Sequence, residues 1–252
     1  LLRIVFSILC LFSLLFNLGN VQAQPITAKS WLITNEDTNT VLDASNEDRI
    51  QPIASISKLI VAMVVLDAKQ DMDELVPLST KIRDALPSQL PRRILLELAL
   101  VNSNNRAAQT LCEQYPGGFG VCVYVMNLKL QSLNMVDSIV YEPTGLDKRN
   151  TSSAKQLVNL VKAAANYSFI VEADKKTSVE VIVKKRKLVY HNTNPLVGKK
   201  DFTISKTGWI SASGGCIVTK LNNSIIIVLG SRNTHTRIYE VTYLYDIHRR
   251  RL

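Results

Sequence analysis

The segment from Ser55 to Ala68 does most to limit how this chain can fold. Beyond Lys58 it reads Leu59-Ile-Val-Ala-Met-Val-Val-Leu-Asp-Ala68. Wound as a helix it is apolar nearly all round, and such a helix lies in a core rather than on its rim. The chain has 252 residues, 46% of them hydrophobic and 20% charged, so it can supply that surround. The same composition excludes a disordered, collagen-like or coiled-coil chain.

Short alternating runs stand on the N-terminal side of this helix. Ser30-Trp-Leu-Ile-Thr34 and Thr40-Val-Leu-Asp-Ala44 flank a polar stretch and predict a β-hairpin. Residues 91–164 read as mostly helical, with helices expected over 93–101, 106–114, 121–133 and 153–164, the last capped by Asn150-Thr-Ser152. Strand periodicity returns at 202–205, 216–219 and 224–229, and a final helix is expected over 236–246. Strands at both ends with helices between them predict an α+β fold: an antiparallel sheet built from both chain ends, packed with helices, with a mostly helical insert. No internal repeat or linker divides it.

The first 23 residues differ in kind. Arg3 precedes the apolar run 4–16, and Val21-Gln-Ala23 resembles a signal-peptidase site. The run is shorter than the roughly 20 residues a bilayer span needs. A secretory signal over 1–23 is therefore expected, followed by one catalytic domain over 24–252, with a retained anchor as the alternative. Location in the periplasm or cell-wall space follows. Thirty Lys and Arg against 21 Asp and Glu give a net charge of +9, a sign that suits any polyanion. The runs Lys184-Lys-Arg-Lys187 and Arg249-Arg-Arg251 read as a solvated basic face or as attraction to an anionic wall, not as a nucleic-acid site. Asn150-Thr-Ser, Asn166-Tyr-Ser and Asn222-Asn-Ser match the glycosylation sequon and receive no role. Cys112 and Cys122 flank Tyr115-Pro-Gly-Gly118 and could form a disulfide or remain free, while Cys216 reads as a small buried residue. The histidines, His191, His235 and His248, show no zinc-type spacing, so no metal or cofactor is expected.

Three short motifs carry chemistry. In Ser55-Ile-Ser-Lys58 the hydroxyl and the amine are three residues apart, on one helical face. A serine needs a neighbouring base to become a nucleophile, and a lysine buried near a second cation can be that base. Ser103-Asn-Asn105 offers a second hydroxyl for proton transfer and an amide to hold a substrate. Lys206-Thr-Gly208 ends a strand, where Lys206 and Thr207 could grip a carboxylate and Gly208 admits a close backbone approach. Taken singly, each has an ordinary structural explanation as a cap, a turn or a surface lysine.

In this order the motifs match the set known for class A β-lactamases and penicillin-binding proteins, with Asn104 at the middle position of S-x-N. The sequence resembles the low-molecular-mass penicillin-binding proteins, the D-alanyl-D-alanine carboxypeptidase/endopeptidase family. Glu142-Pro-Thr-Gly-Leu146, Asn192-Thr-Asn-Pro195 and Ser205-Lys-Thr-Gly-Trp209 extend the likeness over roughly residues 30 to 245. The resemblance implies an acyl-enzyme on Ser55, Lys58 as its base, Ser103 and Asn105 completing the relay, and Lys206 and Thr207 binding a carboxylate. It also implies an oxyanion hole from the N–H groups of Ser55 and Trp209. Peptidoglycan stem peptides and cross-links would be the substrates, and β-lactams the acylating inhibitors.

Carboxypeptidases of this family typically carry a further β-rich domain and an anchoring helix, and the chain as given ends soon after its last strand. The expectation is a cross-link-cleaving DD-endopeptidase. The rivals are a D-alanyl-D-alanine carboxypeptidase, a serine β-lactamase and a non-catalytic wall-binding protein. Glu142 does not sit in a Glu-x-x-Leu-Asn run, which weighs against a β-lactamase. The complete motif set weighs against a non-catalytic role.

Overall fold

The computed structural model describes residues 26–200 and 202–251, so the secretory segment expected over 1–23 lies outside the described residues. The chain ends meet in a five-stranded antiparallel sheet. Its strands are β1 (Ser30–Asn35), β2 (Thr40–Ser45), β3 (Phe202–Ile210), β4 (Gly214–Leu221) and β5 (Ser224–Ser231), in the order β2-β1-β5-β4-β3. β5 is central and buried along its whole length. Alternation sends Ile225, Ile227 and Leu229 into the main core and Ile226 and Val228 into a second cluster on the opposite face. A strand buried on both faces has no reason to alternate in polarity, which is why β5 reads as a continuous apolar run.

Helices cover both faces. On one lies α7 (Thr236–His248), whose Val241 and Leu244 join Ile33, Ile217, Ile226 and Val228. On the other is the core helix α1 (Ser57–Asp67), buried at every residue from Ser57 to Val65. Around it stand α2 (Arg92–Val101), α3 (Asn105–Glu113), α4 (Gly118–Ser132) and α5 (Ala154–Ala164), close to the expected positions. Cys112 on α3 and Cys122 on α4 are joined by a disulfide with Cα atoms 5.3 Å apart. Cys216 is a free, buried thiol.

Four local features differ from expectation. α1 is preceded by a 3-10 turn over Ala54–Ile56, so Ser55 sits in that turn rather than on the α-helix. The cap of α5 is Ser153, whose side chain accepts from the Gln156 N–H, while Thr151–Ser152 forms a two-residue strand with Gln51–Pro52. β3 continues through Lys206-Thr-Gly208 to Ile210, so the triplet lies inside the sheet's edge strand and not at a strand end. Finally, a short helix α6 (Ser168–Asp174) and a hairpin of Ser178–Val183 with Arg186–His191 follow α5. The turn of that hairpin holds Lys184 and Lys185 at φ 48° and 64°, which places the basic run at an exposed tip.

Candidate active site

The site forms where the turn before α1, the α2–α3 connection, the loop over residues 142–150 and β3 converge. Ala54, at φ 49°, turns the chain so that Ser55 stays partly exposed while α1 enters the core behind it. One turn on, Lys58 is fully buried and its Nζ lies 2.8 Å from Ser55 Oγ and 2.8 Å from Asn105 Oδ1. The Thr144 carbonyl is its third partner. Neither the amide oxygen nor the carbonyl can donate a proton. The Ser55 hydroxyl itself donates to the Thr144 carbonyl at 3.2 Å, and a charged Lys58 donates to all three partners. As a neutral amine, with two hydrogens and one lone pair, Lys58 can give the hydrogens to the two obligate acceptors and turn the lone pair to Ser55 Oγ. Electrostatics favours this form. Burial, followed by the nearby Lys206 cation, lowers Lys58 well below the ordinary lysine range, and Glu142 offsets this in part.

Lys206 is also fully buried, in other company. Its Nζ donates to Ser103 Oγ at 2.9 Å and to the Thr207 carbonyl at 3.0 Å. Ser103 adopts the left-handed conformation, φ 59°, in the turn between α2 and α3, and Asn104 caps α3 by accepting from the Ala107 N–H. Burial brings Lys206 down to about 7, opposed by the Asp174 carboxylate and reinforced by Arg237. Asp174 ends α6, is fully buried, and accepts from the Ser205 N–H at 2.9 Å. Thr207 Oγ1 lies 2.6 Å from Thr193 Oγ1.

Gly208 is required by packing against the protein itself. A Cβ there would lie 2.8 Å from Ser55 N and 2.9 Å from Ala54 Cβ, so only glycine lets the edge strand run alongside the Ser55 amide. Trp209, next along β3, is 51% exposed and borders the site.

All eight residues singled out in the sequence thus lie on the converging elements. Ser55, Lys58 and Asn105 form one hydrogen-bonded group, and Lys206 and Ser103 form another. The hydroxyl of Ser103 is bonded to Lys206, whereas the expected relay would have it serve Lys58. Three further side chains went unread. Asp174 sits in a seven-residue helix without a clear apolar stripe. Arg237 reaches from α7 to donate to the Gly208 carbonyl, a contact with an element distant in sequence. Glu142, part of the Glu142-Pro-Thr-Gly-Leu146 segment, has both of its oxygens occupied by donors from its own loop, a structural role that the sequence does not announce. Among the described residues no group of three or more His, Cys, Asp or Glu could hold a metal ion, and no helix is long and apolar enough to cross a membrane.

Comparison with known proteins places the chain in a family. The peptidase S11 profile, described as D-alanyl-D-alanine carboxypeptidase, matches residues 18–232. A D-alanyl-D-alanine endopeptidase of Pseudomonas aeruginosa is 37% identical over 240 residues, 88% of this chain and 77% of that protein. Its Escherichia coli namesake is 35% identical with the same coverage. Among solved structures, penicillin-binding protein D2 of Listeria monocytogenes with bound ampicillin superposes with a TM-score of 0.79 at 24% identity, covering 88% of this chain and 97% of that one. The Streptomyces K15 DD-transpeptidase gives 0.80 at 20% identity and the same coverage. Both share the mixed fold of sheet and helices.

Proposed function

Because the chain belongs to the D-alanyl-D-alanine carboxypeptidase family of serine peptidases, we propose that it is a DD-endopeptidase of peptidoglycan acting through an acyl-enzyme on Ser55. The observation that carries this reading is the buried Lys58 amine 2.8 Å from the Ser55 hydroxyl, with its other two partners unable to donate. Lys58 takes the Ser55 proton as Oγ attacks the carbonyl carbon of the D-Ala that joins one stem to the next. The oxygen of that carbonyl gains charge between the backbone N–H groups of Ser55 and Trp209. Lys206 and Thr207 hold the carboxylate on the leaving side, and Asn105 holds the substrate amide as well as Lys58. The C–N bond breaks as the proton taken up by Lys58 passes to the leaving amine, with Ser103 held beside the site by Lys206 at 2.9 Å. Water then adds to the ester, releasing the acid and restoring the Ser55 hydroxyl.

The endopeptidase choice rests on the names of the Pseudomonas and Escherichia relatives, at 37% and 35% identity. A carboxypeptidase named DacB2 of Mycobacterium tuberculosis is less similar, at 27%. The substrates are the D-Ala bonds of stem cross-links, β-lactams acylate the same serine, and the place of action is the periplasm or cell-wall space, reached through the segment over 1–23.

Purified protein treated with labelled penicillin should carry the label on the peptide containing Ser55, and Ser55→Ala should remain unlabelled. Cross-linked muropeptide dimers should be split. Loss of terminal D-Ala with the dimers intact would make it a carboxypeptidase, and label on another peptide would overturn the site.

A further inference from the structure

Glu142 lies outside the three motifs, yet it organises the loop that touches both reacting groups. Its Oε2 accepts from the Thr144 N–H at 2.6 Å and from the Thr144 hydroxyl. Its Oε1 accepts from Gly145 N at 2.6 Å, Asp147 N at 3.2 Å and Asn150 Nδ2 at 3.2 Å. One carboxylate thus gathers five donors from residues 144–150. The gathered loop is seated on the turn that carries Ser55. The Asn150 carbonyl accepts from Ile53 N at 3.0 Å, Asn150 Nδ2 reaches Ser57 Oγ at 3.1 Å, and a Cβ on Gly145 would stand 2.1 Å from the Ala54 carbonyl. So held, the Thr144 carbonyl accepts from Lys58 Nζ and, at 3.2 Å, from the Ser55 hydroxyl.

We propose that Glu142 is a positioning residue for acylation, which fixes the Thr144 carbonyl so that it takes a hydrogen of the Lys58 amine and leaves the lone pair to Ser55. Without that fixed acceptor the amine could rotate, and its lone pair would no longer be aimed at the hydroxyl. The same five donors occupy both carboxylate oxygens, which sets Glu142 to holding the loop rather than to taking a proton from water. The proposal rests on the acyl-enzyme reading above. Its charge has a separate consequence. Of the ionisable groups around Lys58, Lys206 opposes its protonation and Glu142 favours it, so removing the anion makes the amine easier to keep neutral.

Two variants separate geometry from charge. Glu142→Gln keeps the shape but turns an NH2 group toward backbone N–H donors. Glu142→Asp keeps the charge but is too short to reach all five donors. Acylation by a fluorescent penicillin should slow about 10- to 100-fold in both, the size typical of losing a group that orients a reactive one. The acid limb of the rate–pH profile should move to lower pH in Glu142→Gln and stay in Glu142→Asp, a split that simple loosening of the fold would not produce. Thermal melts establish that each variant is folded, and if Glu142→Gln is not, the rate of Glu142→Asp decides. A folded variant that acylates at the wild-type rate would overturn the proposal. Absence of label at Ser55 in the unsubstituted protein would instead overturn the underlying reading.

Discussion

Two lysines, each completely buried and close enough for the charge of Lys206 to act on Lys58, have different surroundings. Lys58 is ringed by the Ser55 hydroxyl, an amide oxygen and a backbone carbonyl, with the Glu142 carboxylate near enough to favour its charged form. Lys206 has Ser103 in front and the carboxylate of Asp174 behind. Burial alone lowers both, because a charged amine loses its hydration. Each also has a carboxylate that favours its charged form. For Lys206, which still falls to about 7, it is Asp174, itself pushed up to about 7 by burial. For Lys58 it is Glu142, which offsets burial and the Lys206 charge only in part. The balance of burial, cation and anion, rather than burial alone, sets the two lysines apart.

The sharpest way to break this contrast is Lys58→Arg. A guanidinium keeps the charge but does not deprotonate in a protein. If Lys58 serves as the base, acylation should fall about 10³- to 10⁴-fold, measured by stopped-flow with a fluorescent penicillin. An active arginine variant would mean that Lys58 acts only as a charge. Next in size is Lys206→Met, which deletes a charge-assisted contact to the substrate carboxylate. It should lower kcat/KM about 10- to 100-fold, and a substrate whose carboxylate is converted to an amide should lose the difference between variant and wild type.

Asp174→Asn sharpens the comparison through pH. On the proposed mechanism acylation needs Lys58 neutral, so the rate rises as pH climbs through its lowered value, and it needs Lys206 charged, so the rate falls as pH passes that group's value of about 7. Asp174 raises Lys206, so removing its charge moves the basic limb to lower pH, and at pH 8 the variant should be several-fold slower by the loss of about one charge contact. The two limbs belong to interacting groups and are fitted as such. An unmoved basic limb would mean that Asp174 holds β3 through Ser205 alone. The smallest effect on catalysis is expected far from both lysines. Replacing Cys112 and Cys122 by serine opens a short loop and should lower stability by about 2–3 kcal/mol in denaturant melts, with acylation unchanged at 25 °C.

The parts legible from sequence and the parts that were not divide along physical lines. α1 and β5 declared themselves because full burial demands unbroken apolar runs, and the Ser55–Lys58 spacing is a local, one-turn relation. Gln51–Pro52 paired with Thr151–Ser152 has no period to detect, since two residues make none and the partner is distant in sequence. The hairpin after α6 turns on Lys184 and Lys185 in the left-handed region, where Asn-Gly would have announced it. Ser103 was found as part of a motif, but its partner, Lys206, lies on another element, and the choice between Lys58 and Lys206 is made only when β3 packs against the α2–α3 turn. Asp174, Arg237 and Glu142 escaped for a common reason. A buried polar residue looks like a surface one until the donors that satisfy it are brought up by tertiary structure.

The protonation of the two lysines can be read directly. Protein labelled with ¹⁵N at lysine Nζ, with Lys58→Arg and Lys206→Met samples to assign the two buried signals, should show Lys58 turning from ammonium to neutral amine at lower pH than Lys206 as the pH is raised. Loss of the Lys206 proton first would contradict the division of labour on which the mechanism depends.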